Sequence, residues 1–333
     1  MDVAAAPDPV QAVLAAHRQG DLIALRTSGT TGTPRSVVRA TSSWFDSFDH
    51  VTRLLGMDAT SRVWVPGPFS ATMNLFAAVH AEHLGAAVQT STAGATHAVL
   101  TPAALSGAIA HGTDLTGVHV LVAGDRLTPG LHDHALDHGA ARVSHYYGAA
   151  ELSFVAWGSH AEDLRPFPCV EVDCREGVVW VRSPYVCRRY DGPDGPLTWE
   201  PDGWATVGDR GCLEDGFLRI HGRGTDAVVT AGATVLVADV EAVLEGATGH
   251  RVVVVGLPHP DLGQVLCGVV RQPGAPVTPD ASGLATVRQA ARELLDPAQR
   301  PRRWFEVADL PLTSAGKLDR ERLVASLLPS VTP

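Results

Sequence analysis

The stretch Thr27-Ser28-Gly29-Thr30-Thr31-Gly32-Thr33-Pro34-Arg35 follows an apolar run at 22–27 that has the composition of a short β-strand. Its glycines let the backbone approach an anion and turn N–H groups toward it. The hydroxyls add donors, and Arg35 adds a fixed positive charge. No Gly-Lys-Ser/Thr closes the segment, so it is not a Walker A loop. The stretch predicts a phosphate-binding loop, and the alternative is a Ser/Thr-rich surface turn.

Two carboxylates further along the chain stand in sequence contexts that suit nucleotide binding. Tyr147, at the end of a predicted strand, could stack on a base, and Glu151 could hold Mg²⁺ against phosphate oxygens. The alternative for this pair is a core tyrosine and a glutamate that starts a helix. Asp209, at a Gly-Asp turn, could accept hydrogen bonds from both hydroxyls of a ribose. An ordinary turn is the alternative there.

Two glycine-containing segments lie nearer the C-terminus. Gly222-Arg223-Gly224-Thr225-Asp226 stands where the composition changes, and its arginine could contact ribose or phosphate beside a glycine hinge. A simple linker is the alternative. Leu312-Thr313-Ser314-Ala315-Gly316-Lys317 ends in a lysine that could be delivered to a ligand as a point charge. A solvated surface lysine is the alternative for that segment.

The composition is that of an ordinary globular protein. The 333 residues are 45% apolar and 19% charged, with a net charge of −10. The acidic balance and the lack of a Lys/Arg block argue against a nucleic-acid surface. Five cysteines at irregular spacing favour a reducing cytoplasm over a disulfide framework or a zinc ribbon. The N-terminus lacks the form of a signal peptide, and no run approaches the ~20 apolar residues of a membrane span.

Helical and strand patterns alternate over the first half of the chain and then give way to other patterns. The series opens with predicted helices at 8–19, 42–57 and 73–85 and predicted strands at 22–27 and 62–68. Such alternation predicts an α/β fold with a parallel sheet covered on both faces. From about residue 170, short strands broken by Asp-Gly turns predict antiparallel structure. The helix and strand patterns over residues 226–333 predict a small α+β domain.

Histidines recur on two predicted helices without a metal-binding pattern. His132, His134 and His138 are most simply the polar face of a helix, because no HExxH motif and no cysteine partner is present. His80 and His83 are likewise predicted to lie on a helix surface. The sequence therefore predicts no histidine metal site.

The five segments occur in this order, and at this spacing, in one family. From residue 22 to 325 the sequence resembles the adenylate-forming superfamily, which includes acyl-CoA synthetases, adenylation domains of nonribosomal peptide synthetases, and luciferases. It resembles most closely the short bacterial acyl-CoA ligases, among them actinobacterial o-succinylbenzoate–CoA ligases. The resemblance implies an α/β protein of two domains. Residues 1–223 would form a truncated large domain, layered α/β with a β-rich end, that binds ATP and the acyl group. Residues 224–333 would form a small mobile α+β domain that carries the catalytic lysine.

The resemblance also implies a role for each matched residue. Catalytic roles fall to Lys317, Glu151 and Arg35, with Glu151 also the Mg²⁺ ligand. The implied nucleotide-binding residues are Thr27, Ser28, Gly29, Thr30, Thr31, Gly32, Gly124, Tyr147, Gly148, Asp209 and Arg223. The implied substrate pocket contains Phe69, Ser70, Met73, Asn74 and Ala149, and Gly232 would approach coenzyme A.

The implied reaction uses ATP and Mg²⁺ to activate a small carboxylic acid as acyl-AMP and then transfers the acyl group to CoA. The acid could be o-succinylbenzoate, a medium-chain fatty acid or an aryl acid. One alternative is a stand-alone adenylating enzyme that loads a carrier protein or an amine. Another is a nucleotide-binding protein with impaired catalysis, because Ala150 and Thr225 depart from the family pattern. Arg35 stands where the family usually has a lysine, which keeps the charge but changes its geometry. We expect a cytoplasmic protein without nucleic-acid or membrane-spanning partners, and a homodimer is plausible.

Overall fold

The chain divides into two compact units. A computed structural model describes residues 2–26, 35–192, 194–223, 227–230, 232–259, 262–271, 278–279, 284–313 and 316–328. The first unit comprises Met1–Arg219 together with Thr313–Lys317, and the second comprises Ile220–Leu312 and Leu318–Pro333. The domain boundary predicted at 223/224 lies a few residues beyond this division, and residues 224–226 lie outside the described residues. That boundary stays a prediction.

Helices and strands alternate through the first half of the first unit, and strands alone follow. After a 3₁₀ turn at Val3–Ala5, the helices are α1 (Pro9–Gln19), α2 (Ser42–Leu55), α3 (Thr72–Leu84), α4 (Pro102–Ala110) and α5 (Pro129–Asp137). The strands in its first half are β1 (Leu22–Arg26), β2 (Ser36–Ala40), β3 (Arg62–Trp64), β4 (Ala87–Gln89), β5 (His97–Leu100), β6 (His119–Val122), β7 (Arg142–Ala149) and β8 (Ser153–Gly158). Those that follow are β9 (Arg165–Pro166), β10 (Glu171–Arg175), β11 (Val178–Arg182), β12 (Arg189–Asp191), β13 (Thr198–Trp199), β14 (Ala205–Thr206), β15 (Asp209–Glu214) and β16 (Phe217–Arg223). The division between the units falls within β16.

The predicted parallel sheet is present and is covered on both faces. Its order is β4-β3-β5-β6-β7-β8-β9, parallel from β4 to β7 and antiparallel at β8 and β9. Along β6, Val120 and Val122 pack with side chains of α4 and α5. Leu121 between them faces a cavity lined by side chains of α2 and α3. This alternation is the period-two pattern of a strand buried on both sides.

Two of the crossover helices begin at the same local signal. Thr101 and Thr128 each accept a backbone N–H three residues on, and each is followed by a proline at the first helical position. A threonine cap satisfies an unpaired N–H group, and proline has none to satisfy there. This signal sets α4 directly after β5 and places Thr101 at the end of the strand.

The strand at 22–27 is not part of the parallel sheet, contrary to the prediction. β1 pairs antiparallel with β2, and β2 pairs with β12, in a separate three-stranded sheet. The sequence of β2 reads Ser-Val-Val-Arg-Ala and gives no strong strand signal, and β12 lies far along the chain. The antiparallel sheet predicted after residue 170 is present as β13-β14-β11-β15-β16 with β10 beside β11.

The second unit has the α+β composition predicted for it. Its elements are β17 (Ala227–Thr230), β18 (Ala233–Leu236), α6 (Val237–Thr248), β19 (Val252–His259), β20 (Gly263–Arg271), β21 (Thr278–Pro279), α7 (Ala285–Leu294), β22 (Arg303–Val307) and α8 (Arg320–Leu327). Side chains of α6 and α7 cover one face of its sheet, and side chains of α8 cover the other. Arg320 makes a bidentate pair with the buried Glu241, which joins the start of α8 to α6. None of the described helices has the length and apolar character to cross a membrane.

Candidate active site

The carboxyl ends of three parallel strands form one edge of the main sheet. Leu100 of β5 pairs with Val122 of β6, which in turn pairs with His145 of β7. The residues that follow these positions include Thr101, Gly124 and Tyr147, so they lie at the same edge. Ligands of open α/β sheets bind outside the carboxyl ends of the strands. The fold therefore brings two of the predicted nucleotide-binding residues to the expected edge.

Tyr147 and Asp209 are joined by a short hydrogen bond. The tyrosine hydroxyl donates to Oδ2 of the buried aspartate at 2.6 Å. Asp209 begins β15 in the antiparallel sheet, so this contact connects the parallel sheet to the β-rich end. A hydrogen bond to a carboxylate is stronger than a neutral one and fixes its orientation. The pair places an ionisable acceptor at a defined position beside an aromatic ring.

A bulge in β7 shapes the turn that follows Tyr147. The register against β8 shifts between Tyr147 and Gly148, and a Cβ on Gly148 would overlap the carbonyl oxygen of Ser153. Ser153 itself has a φ of 60°. Close packing in this turn is sufficient to account for a glycine at position 148. The turn places Ala150 and Glu151 directly after the end of β7.

The lysine of the C-terminal segment lies against the first unit, to which Thr313–Lys317 belongs. Within this segment the N–H of Thr313 donates to the carbonyl of Lys317 at 2.8 Å, and Gly316 has a φ of 74°. A Cβ on Gly124 would stand 3.2 Å from Cε of Lys317. Gly124 also has a left-handed φ of 90°. A glycine here both permits the turn after β6 and leaves room for the lysine side chain.

Thr101 is a functional candidate that the sequence reasoning missed. Its hydroxyl donates to the carbonyl oxygen of Gly316 at 2.9 Å and accepts the N–H of Ala104 at 3.2 Å. The Thr-Pro motif at the start of α4 could have predicted that Thr101 is the N-cap of that helix. The contact with Gly316 joins residues far apart in the chain, so no local pattern indicated it.

Glu151 is buried, and three neighbouring segments hold it. The hydroxyl of Tyr190 donates to its Oε1 at 2.9 Å, and the N–H of Cys187 donates to its carbonyl at 2.7 Å. The guanidinium of Arg39, which is fully buried, donates to the carbonyl of Ala150 at 2.6 Å. These contacts come from β2, β12 and the segment before β12. The carboxylate predicted to be the Mg²⁺ ligand is therefore buried, and its position is strongly constrained.

The hydroxyl-rich segment Thr27–Pro34, with Thr27, Ser28, Gly29, Thr30, Thr31 and Gly32, lies outside the described residues. Its two flanks are described: Arg26 of β1 pairs with Ser36 of β2, and Ser36 also pairs with Asp191 of β12. Arg35 directly precedes β2. Because β2 and β12 also supply Arg39 and Tyr190 around Glu151, the strand that leaves this segment is tied to the Glu151 turn.

An apolar cavity of about 20 Å³ lies between α2, α3 and the main sheet. Its wall includes Met73, Phe76, Leu121 and Phe154, together with the rings of His80 and Tyr146 and six further apolar side chains. Such a volume is roughly that of one water molecule. Met73 is a predicted substrate residue, and Tyr146 stands next to Tyr147, so the cavity adjoins the sheet edge described above.

Two histidines of this region are buried and neutral. Burial lowers the pKa of His145 to about 4, and its Nδ1 lies 2.9 Å from the carbonyl of Val122. Burial likewise lowers the pKa of His80 to about 4, and its Nε2 bonds the hydroxyl of Thr52 at 2.8 Å. The prediction of a surface position for His80 is wrong, because α3 is packed between α2 and the sheet and Thr52 supplies a polar partner. His134 of α5 and His138, which directly follows that helix, are exposed, as predicted.

Comparisons with known proteins bear on this architecture. Residues 239–317 match the family described as AMP-binding enzyme C-terminal domain. A relative from Bacillus subtilis (strain 168), described as the uncharacterized acyl-CoA ligase YhfT, is 27% identical over 92% of this chain and 68% of its own length. ATP-bound MatB from Rhodopseudomonas palustris shares the fold with a TM-score of 0.77 and 21% identity, over 92% of this chain and 68% of that one. A variant of E. coli MenE with bound OSB-AMS gives a TM-score of 0.78 and 22% identity, over 92% and 69%.

The family match and the acyl-CoA ligase relative support the predicted resemblance to the adenylate-forming superfamily. The solved structures confirm the predicted fold, in which a layered α/β body with a β-rich end accompanies a smaller α+β unit. The chain is shorter than the superfamily structures that it matches. The roles of individual residues stay predictions, and the structure adds the surroundings of each.

The predicted substrate residues are distributed around the start of α3, apart from Ala149. Phe69 and Met73 are partly buried, Ser70 is exposed, and Ala149 is partly buried at the end of β7. Asn74 is buried, and its amide nitrogen donates to the carbonyl of Pro68 at 3.1 Å. The structure thus gives this amide a backbone partner, which weakens the expectation that Asn74 recognises a second polar group of the acid.

Two of the predicted ligand-binding residues lie in the second unit. Arg223 ends β16, and Thr225 of the predicted hinge lies outside the described residues. Gly232 is exposed with a φ of 83°, and a Cβ there would meet open space. The left-handed backbone conformation is enough to explain why position 232 is a glycine, and no ligand next to the backbone is needed to explain it. Contact with CoA stays a prediction for Gly232.

Proposed function

We propose that this chain is an ATP-dependent carboxylate–CoA ligase that makes acyl-AMP and then an acyl-CoA thioester. One observation carries the proposal: Lys317 lies beside Gly124 at the carboxyl edge of the main sheet, where Tyr147 and Asp209 form a bonded pair. A lysine could bind the phosphates of ATP, an aromatic ring could stack on the adenine, and a carboxylate could accept hydrogen bonds from the ribose hydroxyls. The acyl-CoA ligase relative and the superfamily resemblance support the same chemistry.

In the first half-reaction a carboxylate oxygen of the acid bonds to the α-phosphorus of ATP. The bond from that phosphorus to the bridging oxygen breaks, and pyrophosphate leaves in line. Lys317 would donate hydrogen bonds to the negative charge that develops on the transferring group. Asp209, oriented by Tyr147, would accept the ribose hydroxyls and so hold the nucleotide in place.

In the second half-reaction the sulfur of CoA attacks the acyl carbon of acyl-AMP. The thiol gives up its proton, the carbonyl is restored, and AMP leaves, so the product is a thioester. Lys317 has no evident use in this step, because no pyrophosphate departs. We propose that rotation of residues 224–333 about the hinge at residues 224–226 withdraws the lysine and admits the thiol near Gly232.

Mg²⁺ fits the oxygen chemistry at Glu151. In the part of the chain that the structure describes, no group of three His, Cys, Asp or Glu side chains is placed to hold a metal ion. Glu151 would therefore hold the ion as a single protein carboxylate together with phosphate oxygens, an arrangement that Mg²⁺ commonly adopts with nucleotides. When bound, the ion would neutralise charge on the phosphates.

The apolar side chains around α3 favour an acid with an apolar acyl or aryl group, which would lie beside the cavity, because the cavity itself is no larger than one water molecule. The cavity wall is largely apolar, and its histidine and tyrosine rings are neutral near pH 7, because burial lowers the pKa of His80 and raises that of Tyr146. A carboxylate beyond the one that reacts would be poorly solvated there. Fatty and aryl acids are therefore the substrates that we favour, and o-succinylbenzoate stays a candidate.

The test is a pyrophosphate-release screen over fatty, aryl and dicarboxylic acids, each with and without CoA. We expect one class to release pyrophosphate and to give the thioester with CoA alone. Adenylation without transfer to CoA would instead favour a carrier protein or an amine as acceptor. ATP binding without pyrophosphate release across the whole panel would contradict the proposal and favour a nucleotide-binding protein. We also propose a cytoplasmic location and a homodimer.

A further inference from the structure

The side chain of Glu151 is oriented by a tyrosine that the superfamily resemblance did not single out. Tyr190 of β12 donates its hydroxyl hydrogen to Oε1 of Glu151 at 2.9 Å and accepts the N–H of Leu197 at 3.2 Å. A backbone N–H that donates to a hydroxyl polarises it and strengthens the bond that the hydroxyl itself donates. The two bonds form a chain from the backbone to the carboxylate.

The surrounding backbone restricts the side-chain conformation of Tyr190. A Cβ on Gly195 would overlap the ring and hydroxyl of Tyr190, so the ring rests directly on the backbone of Gly195. β12 pairs with β2, with Tyr190 opposite Val37. The backbone of Tyr190 is thus fixed by the sheet and its ring by Gly195, which leaves the hydroxyl a defined position.

The peptide before Glu151 is fixed from the other side by a buried cation. Arg39 of β2 donates to the carbonyl of Ala150 at 2.6 Å, to the hydroxyl of Ser43 at 3.1 Å and to the carbonyl of Tyr185 at 3.4 Å. Burial lowers the pKa of Arg39 to about 10, so it is still charged at neutral pH. A buried guanidinium is costly, and the Nη groups of Arg39 offset part of that cost by bonding the backbone next to Glu151 and the hydroxyl of Ser43, while its buried Nε has no hydrogen-bond partner in the described part of the chain.

We propose that Tyr190 is a positioning residue for Glu151, which its hydroxyl holds in the orientation that takes Mg²⁺ together with ATP. The inference rests on the proposed function, since it assigns Glu151 to the ion. The bond from Tyr190 uses one lone pair of Oε1 and leaves the carboxylate further lone pairs for a metal. Without the hydroxyl, Glu151 would sample several rotamers, and binding the ion would first require it to be ordered.

The experiment measures ATP binding by calorimetry in MgCl₂ and in EDTA, without acid or CoA. For the wild type we expect tighter binding in MgCl₂. Tyr190→Phe removes only the hydroxyl, and we expect it to lower the Mg²⁺-dependent gain in affinity by about tenfold, the effect of losing one bond to a charged group. We expect its affinity in EDTA to stay within about twofold of the wild type, because the nucleotide contacts are unchanged.

Tyr185→Phe is the matched control. Tyr185 is buried in the same segment, but its hydroxyl donates to the carbonyl of Pro168 at 3.1 Å and does not contact Glu151. We expect this variant to keep the wild-type gain from Mg²⁺. Gly195→Ala keeps the hydroxyl of Tyr190 but displaces the ring, so it should lower the gain as Tyr190→Phe does. Thermal unfolding of each variant shows whether the fold is retained.

Two results would overturn the inference, and they are distinguishable. An unchanged Mg²⁺ dependence in a folded Tyr190→Phe variant would overturn the positioning role and leave the proposed function standing. A wild type that binds no ATP in either condition would overturn the proposed function and the inference with it. Equal losses in MgCl₂ and EDTA would show that Tyr190 supports the nucleotide site generally and would also contradict the inference.

Discussion

The hydroxyl of Thr101 donates a hydrogen bond of 2.9 Å to the carbonyl oxygen of Gly316, the residue before Lys317. The same hydroxyl accepts the N–H of Ala104 and so caps α4. One side chain at the end of β5 thus serves both a crossover helix and the segment that carries the lysine. Disturbing it should affect helix stability and lysine placement together, and the two effects can be measured separately.

Thr101→Val keeps the shape of the side chain and removes the hydroxyl. We expect the loss of the cap to lower the free energy of unfolding by about 1 kcal/mol. We also expect acyl-AMP formation to slow by about tenfold, because Gly316 loses its partner and Lys317 is held less well. Thioester formation from synthetic acyl-AMP should be nearly unchanged. Thr101→Ser restores the hydroxyl and should restore both properties, whereas a Thr101→Val enzyme with wild-type adenylation would contradict the placement role.

Asp209→Asn tests the assignment of the ribose contact. We expect the KM for ATP to rise by about tenfold or more, since a charged acceptor of the ribose hydroxyls becomes a neutral amide. With 2′,3′-dideoxy-ATP the substitution should cost much less, because the hydroxyls that it serves are gone. The same loss with both nucleotides would show that Asp209 acts on something other than the ribose. Tyr147→Phe should shift the same constants by a smaller factor, since it removes only the bond that orients Asp209.

Acid should destabilise the first unit through its buried histidines. In the folded state burial lowers the pKa of His145 to about 4, whereas an unfolded chain has the ordinary value near 6.5. The unfolded state therefore binds the extra proton first, and the stability that is full above pH 6.5 is lost as pH falls toward 4. We expect a loss of about 1–3 kcal/mol from this group between those values, measured by urea unfolding.

A matched pair of variants isolates this effect. His145→Asn should make the pH dependence of stability between pH 4 and 6.5 less steep, with the remainder left to His80 and His119, whose pKa values burial also lowers to about 4. The substitution also lowers stability at neutral pH by disturbing the core. His134→Asn, on the exposed surface of α5, should leave the pH dependence as it is. Identical slopes for wild type and His145→Asn would show that His145 is not the titrating group.

The single lysine of the sequence makes Lys317 a selective chemical probe. An amine-reactive ester can label only this side chain and the N-terminal amine, which serves as the internal control. We expect ATP with MgCl₂ to slow labelling of Lys317 by about fivefold or more while the N-terminus reacts at its usual rate, because the nucleotide would cover the ammonium. Mass spectrometry reads both sites. Equal labelling with and without ATP would place Lys317 away from the nucleotide.

The family and the layered fold could be predicted because their signals are local and recur along the chain. The alternation of helices and strands indicated the parallel sheet, and the Asp-Gly turns indicated the antiparallel one. The position of β1 was mispredicted because its partners are set by pairing with β2 and β12 and not by its own composition. The pattern of residues within a segment can predict that it is a strand, but it does not indicate which other strands it pairs with.

The contacts that shape the candidate site could not be predicted from the sequence, because local sequence patterns do not indicate which distant residues meet. Thr101 with Gly316, Tyr190 with Glu151 and Arg39 with Ala150 each join residues far apart in the chain. His80 was misplaced because its burial depends on a hydroxyl from α2 that the sequence of α3 cannot indicate. By contrast, Tyr147, Glu151, Asp209 and Lys317 were identified as candidates because each stands in a short recognisable motif.

Lys317→Ala, assayed in the two half-reactions separately, tests the central claim most directly. Acyl-AMP formation is followed by pyrophosphate release, and thioester formation is followed from synthetic acyl-AMP and CoA. We predict that the substitution slows the first by at least ~10²-fold, as loss of a preorganised charge-stabilising donor does, and leaves the second almost unchanged. An equal loss in both half-reactions, or full adenylation activity without the lysine, would contradict the account.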